Sequence, residues 1–199
     1  MKKPFIGVYN PANAVTYLGI AAAVVGIAFA DQPRIAMLML LLSGICDLFD
    51  GRVARMFKRT ETEKRFGIQL DSFADTVAFV IFPAVFLLAQ WRAVWSVLLA
   101  IFYVFAGVTR LCWFDITTDG NTKYFQGVPV TYMGLFLPAL YAVAALLRIP
   151  NAADAQGVLM LVMAVLYILN IRVKKPGGVW YAVFTLLALA TGAVLLLVS

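Results

Sequence analysis

The chain has 199 residues, 63% of them hydrophobic and only 13% charged, with a net charge of +6 and a mean hydropathy of +0.92. A water-soluble domain of this length cannot hide that much apolar surface, so the composition excludes a soluble enzyme or binding module and points to a polytopic membrane protein. The basic excess follows membrane topology, as set out below, and no nucleic acid is expected as a partner.

In chain order, Met1-Lys2-Lys3 is basic, but Pro4–Pro11 carries no apolar signal core and no small-residue cleavage pattern. Residues 1–11 therefore read as an interfacial lead-in, with Asn10-Pro11 as a helix-start signal. Seven apolar segments follow, approximately Ala12–Ala30, Ile35–Ala54, Ile68–Ala89, Ala93–Phe114, Val130–Leu147, Val158–Ile171 and Val179–Val198. The sixth is the shortest and has room to begin nearer Ala152. About 20 helical residues cross a bilayer core, and continuous apolar runs exclude the two-residue period of a membrane barrel. The expectation is an all-α, polytopic transmembrane bundle of about seven spans, six to eight, forming one domain over residues 1–199. Cys46 and Cys112 lie in apolar surroundings without metal-ligand spacing and read as small buried thiols.

Lysine and arginine set the orientation. With a cytoplasmic N-terminus, 13 cations fall on the cytoplasmic side: Lys2, Lys3, Arg52, Arg55, Lys58, Arg59, Lys64, Arg65, Arg110, Lys123, Arg172, Lys174 and Lys175. Only Arg34, Arg92 and Arg148 fall outside. This positive-inside bias places the connector Met56–Phe66 and the loop 115–129 on the cytoplasmic face.

The helix hairpin 35–89 holds the informative chemistry. Asp47 and Asp50 are i,i+3 on one helix, and Asp71 and Asp75 are i,i+4 on the next, so each pair projects from one face. The short connector folds the two helices back as antiparallel neighbours, which sets four carboxylates opposite one another. A carboxylate at the hydrocarbon centre costs about 2.5–3.5 kcal/mol on insertion scales. Solvation at helix ends, or pairing with Arg52 and Arg55, accounts for one or two of the four. It does not account for Asp75, about 8 residues and ~12 Å into its span. Bound divalent cations remove the difficulty. Oxygen-only ligands without His or Cys favour Mg²⁺, Mn²⁺ or Ca²⁺, and four Asp have the capacity for two ions with a diphosphate between them. Gly51 and Gly67 let backbone approach a bulky ligand, and Arg55 is placed to clamp a phosphate. Close helix packing is the plainer reading of the glycines, and interfacial anchoring that of Arg55.

The pattern D-x-x-D-G-x-x-A-R followed by G-x-x-x-D-x-x-x-D resembles the CDP-alcohol phosphotransferase family. It is complete here as Asp47, Asp50, Gly51, Ala54, Arg55, Gly67, Asp71 and Asp75, with an 11-residue connector longer than is usual in the family. The resemblance implies a multi-pass enzyme of the cell membrane, a homodimer with its site facing the cytoplasm, that moves a phosphatidyl group from CDP-diacylglycerol to a small alcohol and releases CMP. It implies Mg²⁺ or Mn²⁺, two ions, on Asp47, Asp50 and Asp71. Asp75 would border the metal site, be counted with its ligands, and act as general base on the acceptor hydroxyl. Asp47, Gly51, Ala54, Arg55 and Gly67 would line the CDP-lipid pocket. The attack implied is direct, without a covalent enzyme intermediate.

The stretch Thr109–Met133 is similar to the phosphatidylserine synthase branch in Arg110, Leu111, Phe114, Tyr124, Phe125, Gly127 and Pro129. It departs from that branch at Cys112, Trp113, Asp115 and Thr131. Arg110 and Lys123 supply cations for an amino-acid carboxylate, so L-serine is the first expectation for the acceptor. A polyol phosphate, glycerol 3-phosphate or inositol phosphate, is the alternative, because it would use the same cations. Helix-end anchoring is the plainer reading of both residues. A membrane prenyltransferase is disfavoured because such enzymes carry two separated Asp motifs. A divalent-cation transporter would need acids along a whole path through the bilayer.

Overall fold

Asn10 starts the first helix. Its side chain accepts the Asn13 amide at 2.9 Å, and Pro11 occupies the first turn, where a missing N–H costs nothing. The structure, a computed structural model, describes residues 6–117, 124–149, 152–174 and 177–197. Helix α1 (Pro11–Ala28) packs along α2 (Pro33–Arg55), which also begins on a proline. Their backbones come close where a Cβ on Gly19 would meet that of Cys46 at 3.2 Å, and the Ser43 hydroxyl donates to the Gly19 carbonyl at 2.9 Å.

Helix α3 (Glu61–Asp75) starts earlier than the predicted Ile68. Thr60 and Glu63 form a reciprocal capping box, the Thr60 amide donating to the Glu63 carboxylate at 2.8 Å. Hydropathy missed these turns because Glu61, Glu63, Lys64 and Arg65 are charged, although charge does not end a helix. The helix continues through a widened π-turn (Thr76–Ile81) into α4 (Phe82–Gln90). There follow α5 (Val94–Thr117), a 3₁₀ turn (Val130–Tyr132) leading into α6 (Met133–Leu146), α7 (Ala152–Ile168) and α8 (Gly178–Leu197). Each predicted apolar segment is thus helical, and the sixth begins at Ala152. Glu61–Gln90, Val94–Thr117 and Gly178–Leu197 are long and apolar enough to cross a membrane, and Asn13–Ala28, Val130–Leu146 and Asp154–Ile168 are shorter apolar helices.

The all-helical expectation misses one feature. Strands β1 (Tyr124–Gln126) and β2 (Arg172–Lys174) pair antiparallel, with Phe125 opposite Val173. Gly127 ends β1 at φ +74°, and a Cβ there would lie 2.5 Å from the Tyr167 carbonyl oxygen. Only glycine fits that turn. Its amide donates to the Ile171 carbonyl at 2.9 Å, which fastens the loop to the end of α7.

The core lies between the helices and is built on Met37, Leu40, Phe79, Phe82, Phe86, Tyr103, Met133, Leu137 and Met160. Large apolar side chains also cover the outside, as with Leu186, Leu187, Leu189, Leu196 and Leu197 on α8. That apolar surface suits contact with lipid. Of the two thiols expected to be buried, Cys46 is buried but Cys112 on α5 is exposed.

Candidate active site

The site forms between the C-terminal halves of α2 and α3, which are not the closely packed neighbours expected: both pack on α1, and the Asp side chains reach across the space between them. Asp47, Asp71 and Asp75 offer carboxylate oxygens that all lie within 4.8 Å of one another. Asp47 faces Asp75, and Asp50 faces Asp71. The i,i+3 and i,i+4 spacings therefore do bring the four acids together across the helix pair. Asp75 is only 8% exposed. Among the described residues the one salt bridge is Lys64–Glu61 at 2.6 Å, so no arginine neutralises the cluster by direct contact. Three carboxylates with converging oxygens and no salt-bridge partner among the described residues fit a hard divalent cation, and no His or Cys belongs to the metal-capable group.

A third helix holds the fourth acid. The Thr16 hydroxyl on α1 donates to Asp50 Oδ2 at 2.9 Å. Sequence reading passed over Thr16, although Asn13 and Thr16 share a helix face in an otherwise apolar run and both are buried. Ser72, between Asp71 and Asp75, donates to Asp115 Oδ1 at 2.8 Å and ties α3 to the end of α5.

A cavity of about 320 Å³ opens beside the four acids, within the usual size of a small-molecule site. Its polar wall holds Asp47, Asp50, Asp71, Asp75, Arg52, Arg55 and Arg110, and its apolar wall draws on α2, α6 and α8 through Leu48, Leu135, Phe136 and Phe184. Gly51 lines it, and a Cβ there would meet nothing within 4 Å, so open space and not helix packing faces this glycine. The Arg52 guanidinium lies 4.3 Å from the centre of the Tyr181 ring, which draws α8 against the site.

Arg110 is 5% exposed, and its Nε has no hydrogen-bond partner among the described residues. The guanidinium instead rests on the rings of Phe114 and Phe125, at 4.9 and 5.8 Å from their centres. A buried cation so placed, on the wall of the same cavity, has capacity for an anion.

Two of the motif residues are not part of the cavity lining, Ala54 and Gly67. Gly67 instead sits by Asn13 and Arg59, with the Asn13 Oδ1 atom 3.6 Å from where a Cβ would be. Lys123 lies outside the described residues, as does part of the loop 115–129.

The family model described as CDP-alcohol phosphatidyltransferase matches residues 9–198. A CDP-diacylglycerol–serine O-phosphatidyltransferase of Mycobacterium bovis is 31% identical over 193 residues, covering 94% of this chain and 58% of that protein. Proteins of the same name from Saccharomyces cerevisiae and Methanocaldococcus jannaschii are 36% identical over 114 residues and 30% over 147. The first covers 52% of this chain and 40% of the yeast protein, the second 73% and 67%. The chain therefore spans little more than half of the mycobacterial relative.

Proposed function

The chain belongs to the CDP-alcohol phosphatidyltransferase family, and on that premise we propose that it transfers a phosphatidyl group from CDP-diacylglycerol to the hydroxyl of L-serine, giving phosphatidylserine and CMP. The observation that carries this reading is the cavity wall. Clustered carboxylates, an open glycine and a buried arginine whose Nε has no hydrogen-bond partner among the described residues share one space, beside an apolar wall suited to acyl chains.

In this reading Asp47, Asp50 and Asp71, with Asp75 beside them, would hold two Mg²⁺ or Mn²⁺ ions. The bound ions would neutralise the diphosphate and stabilise the departing CMP. Asp75 takes the proton of the serine hydroxyl as its oxygen bonds to the lipid-side phosphorus and the bond from that phosphorus to the CMP oxygen breaks. The open side of Gly51 admits the diphosphate, and Arg52 and Arg55 flank it. Arg110 seats the serine carboxylate, with Lys123 as a second cation. The helices make about seven crossings with the N-terminus and the site on the cytoplasmic side, and the working unit is a homodimer. A polyol phosphate is the second acceptor reading, favoured by the presence of Arg52, Arg55 and Arg110 on one wall.

The test is CMP release by purified protein in detergent with CDP-diacylglycerol and Mn²⁺ or Mg²⁺. L-serine, glycerol 3-phosphate and inositol phosphate are offered separately. Release with serine alone, lost on chelation and lowered at least about a hundredfold by Asp75→Asn, is the expected result. Release only with a polyol phosphate replaces serine as the acceptor. Absence of CDP-lipid binding sinks the transferase reading and returns the Asp cluster to an ion path.

A further inference from the structure

Pro83 interrupts the helix that carries Asp71 and Asp75. It has no amide N–H, so the Phe79 carbonyl, four residues before it, lacks the donor an α-helix would supply. The π-turn Thr76–Ile81 begins on the residue after Asp75 and ends two residues before Pro83, so the helix widens between the carboxylate and the proline. Phe79 is 1% exposed, and water does not replace the missing donor there. Tyr103 on α5 does. Its hydroxyl donates to the Phe79 carbonyl at 2.7 Å, and its side chain is fully buried. The Tyr167 hydroxyl on α7 lies 3.2 Å from that of Tyr103 and donates to the Val130 carbonyl at 3.5 Å. Two turns along α5 from Tyr103, on the same face, is Arg110.

We propose that Tyr103 is a positioning residue for Asp75: by filling the hydrogen-bond vacancy that Pro83 leaves at the Phe79 carbonyl, it locks the π-turn that holds Asp75 against Asp47 and Asp71. This rests on the reading of these carboxylates as the metal site. Without the hydroxyl, a buried carbonyl loses its partner and the helix regains one only by altering the turn between Asp75 and Pro83. A change of one residue in that turn would rotate Asp75 relative to the opposite carboxylates, because each helical residue advances about 100°.

Tyr103→Phe keeps the ring and removes only the hydroxyl. In the full chain in detergent, Mn²⁺ affinity, measured by paramagnetic resonance without substrate, should fall about tenfold. The kcat for CMP release should fall by a similar factor, with KM for CDP-diacylglycerol held within about twofold. Pro83→Ala added to this variant restores an amide four residues after Phe79 and should recover most of the affinity and of kcat. A general packing defect would not be reversed by a second substitution on another helix. Unchanged Mn²⁺ affinity in Tyr103→Phe overturns the proposal. So does a double variant no better than the single, including one that aggregates as the single does. If the unsubstituted chain binds Mn²⁺ but releases no CMP, the transferase reading fails, and the Mn²⁺ comparison still decides the role of Tyr103.

Discussion

A carboxylate that binds a cation has two oxygens to orient, and Asp50 shows how one of them is fixed. The Thr16 hydroxyl donates to Oδ2 at 2.9 Å, which fixes how the carboxylate is turned toward the cluster. Thr16 is itself buried, so no water substitutes for it readily. Thr16→Val keeps the shape and removes the donor. It should weaken Mn²⁺ binding about tenfold, the effect expected when a ligand loses its orienting partner. The thermal midpoint should change little, since the shape is conserved and a net hydrogen bond is worth only about 1 kcal/mol. Titration calorimetry with Mn²⁺ on the two proteins checks this, and equal affinities would remove Thr16 from the site. The four Asp were legible in the sequence because they lie in two pairs at helical spacing, and a hairpin leaves them one place to meet. Thr16 was not, because its partner is 34 residues away and a lone hydroxyl in an apolar run looks like a helix residue bonded to its own backbone.

At the level of elements, glycines that look alike in sequence do different work. On α5, a Cβ at Gly107 would come within 2.8 and 2.9 Å of the two γ-carbons of Val80 in the π-turn. That contact is how α5 lies close enough for Tyr103 to reach Phe79. On α2, a Cβ at Gly51 would enter open space. Gly107→Ala should therefore destabilise the protein by ~1–3 kcal/mol through overpacking, seen as a lower melting temperature in detergent. Gly51→Ala should leave that temperature unchanged or higher, since alanine favours the helix by up to about 1 kcal/mol, while affinity for CDP-diacylglycerol drops. The opposite assignment of the two effects would contradict both readings. Sequence gave the helices but not their internal joint. Pro83 is the single mark of the π-turn, and proline alone does not distinguish a kink, a break or a widened turn. The β1–β2 ribbon was still less visible: each strand is three residues long, and its partner comes from the far side of α6 and α7.

For the whole molecule, the two ends of the bundle differ in charge. Arg52, Arg55, Phe114 and Phe125 line one cavity, so the ends of α2 and α5 and the ribbon strand β1 lie together at the site end. The opposite end is marked by two side-chain caps: Gln90 donates to the Ala30 carbonyl at 2.8 Å, and Arg34 donates to the Leu196 carbonyl. Arg92 and Arg148 follow helices α4 and α6 at this end. Lys58, Arg59, Lys64 and Arg65 sit in or beside the connector at the site end, and Arg172 and Lys174 lie in the ribbon there. A positive-inside distribution then predicts that the site end faces the cytoplasm. With Cys46 and Cys112 replaced by alanine, Lys58→Cys should resist a membrane-impermeant maleimide in intact cells and react in inverted vesicles. Arg92→Cys should behave in the reverse way. Labelling of Lys58→Cys from outside would invert the topology without touching the site's geometry. The proposed reaction would then stand in need of an acceptor and a CDP-lipid headgroup presented at the outer surface.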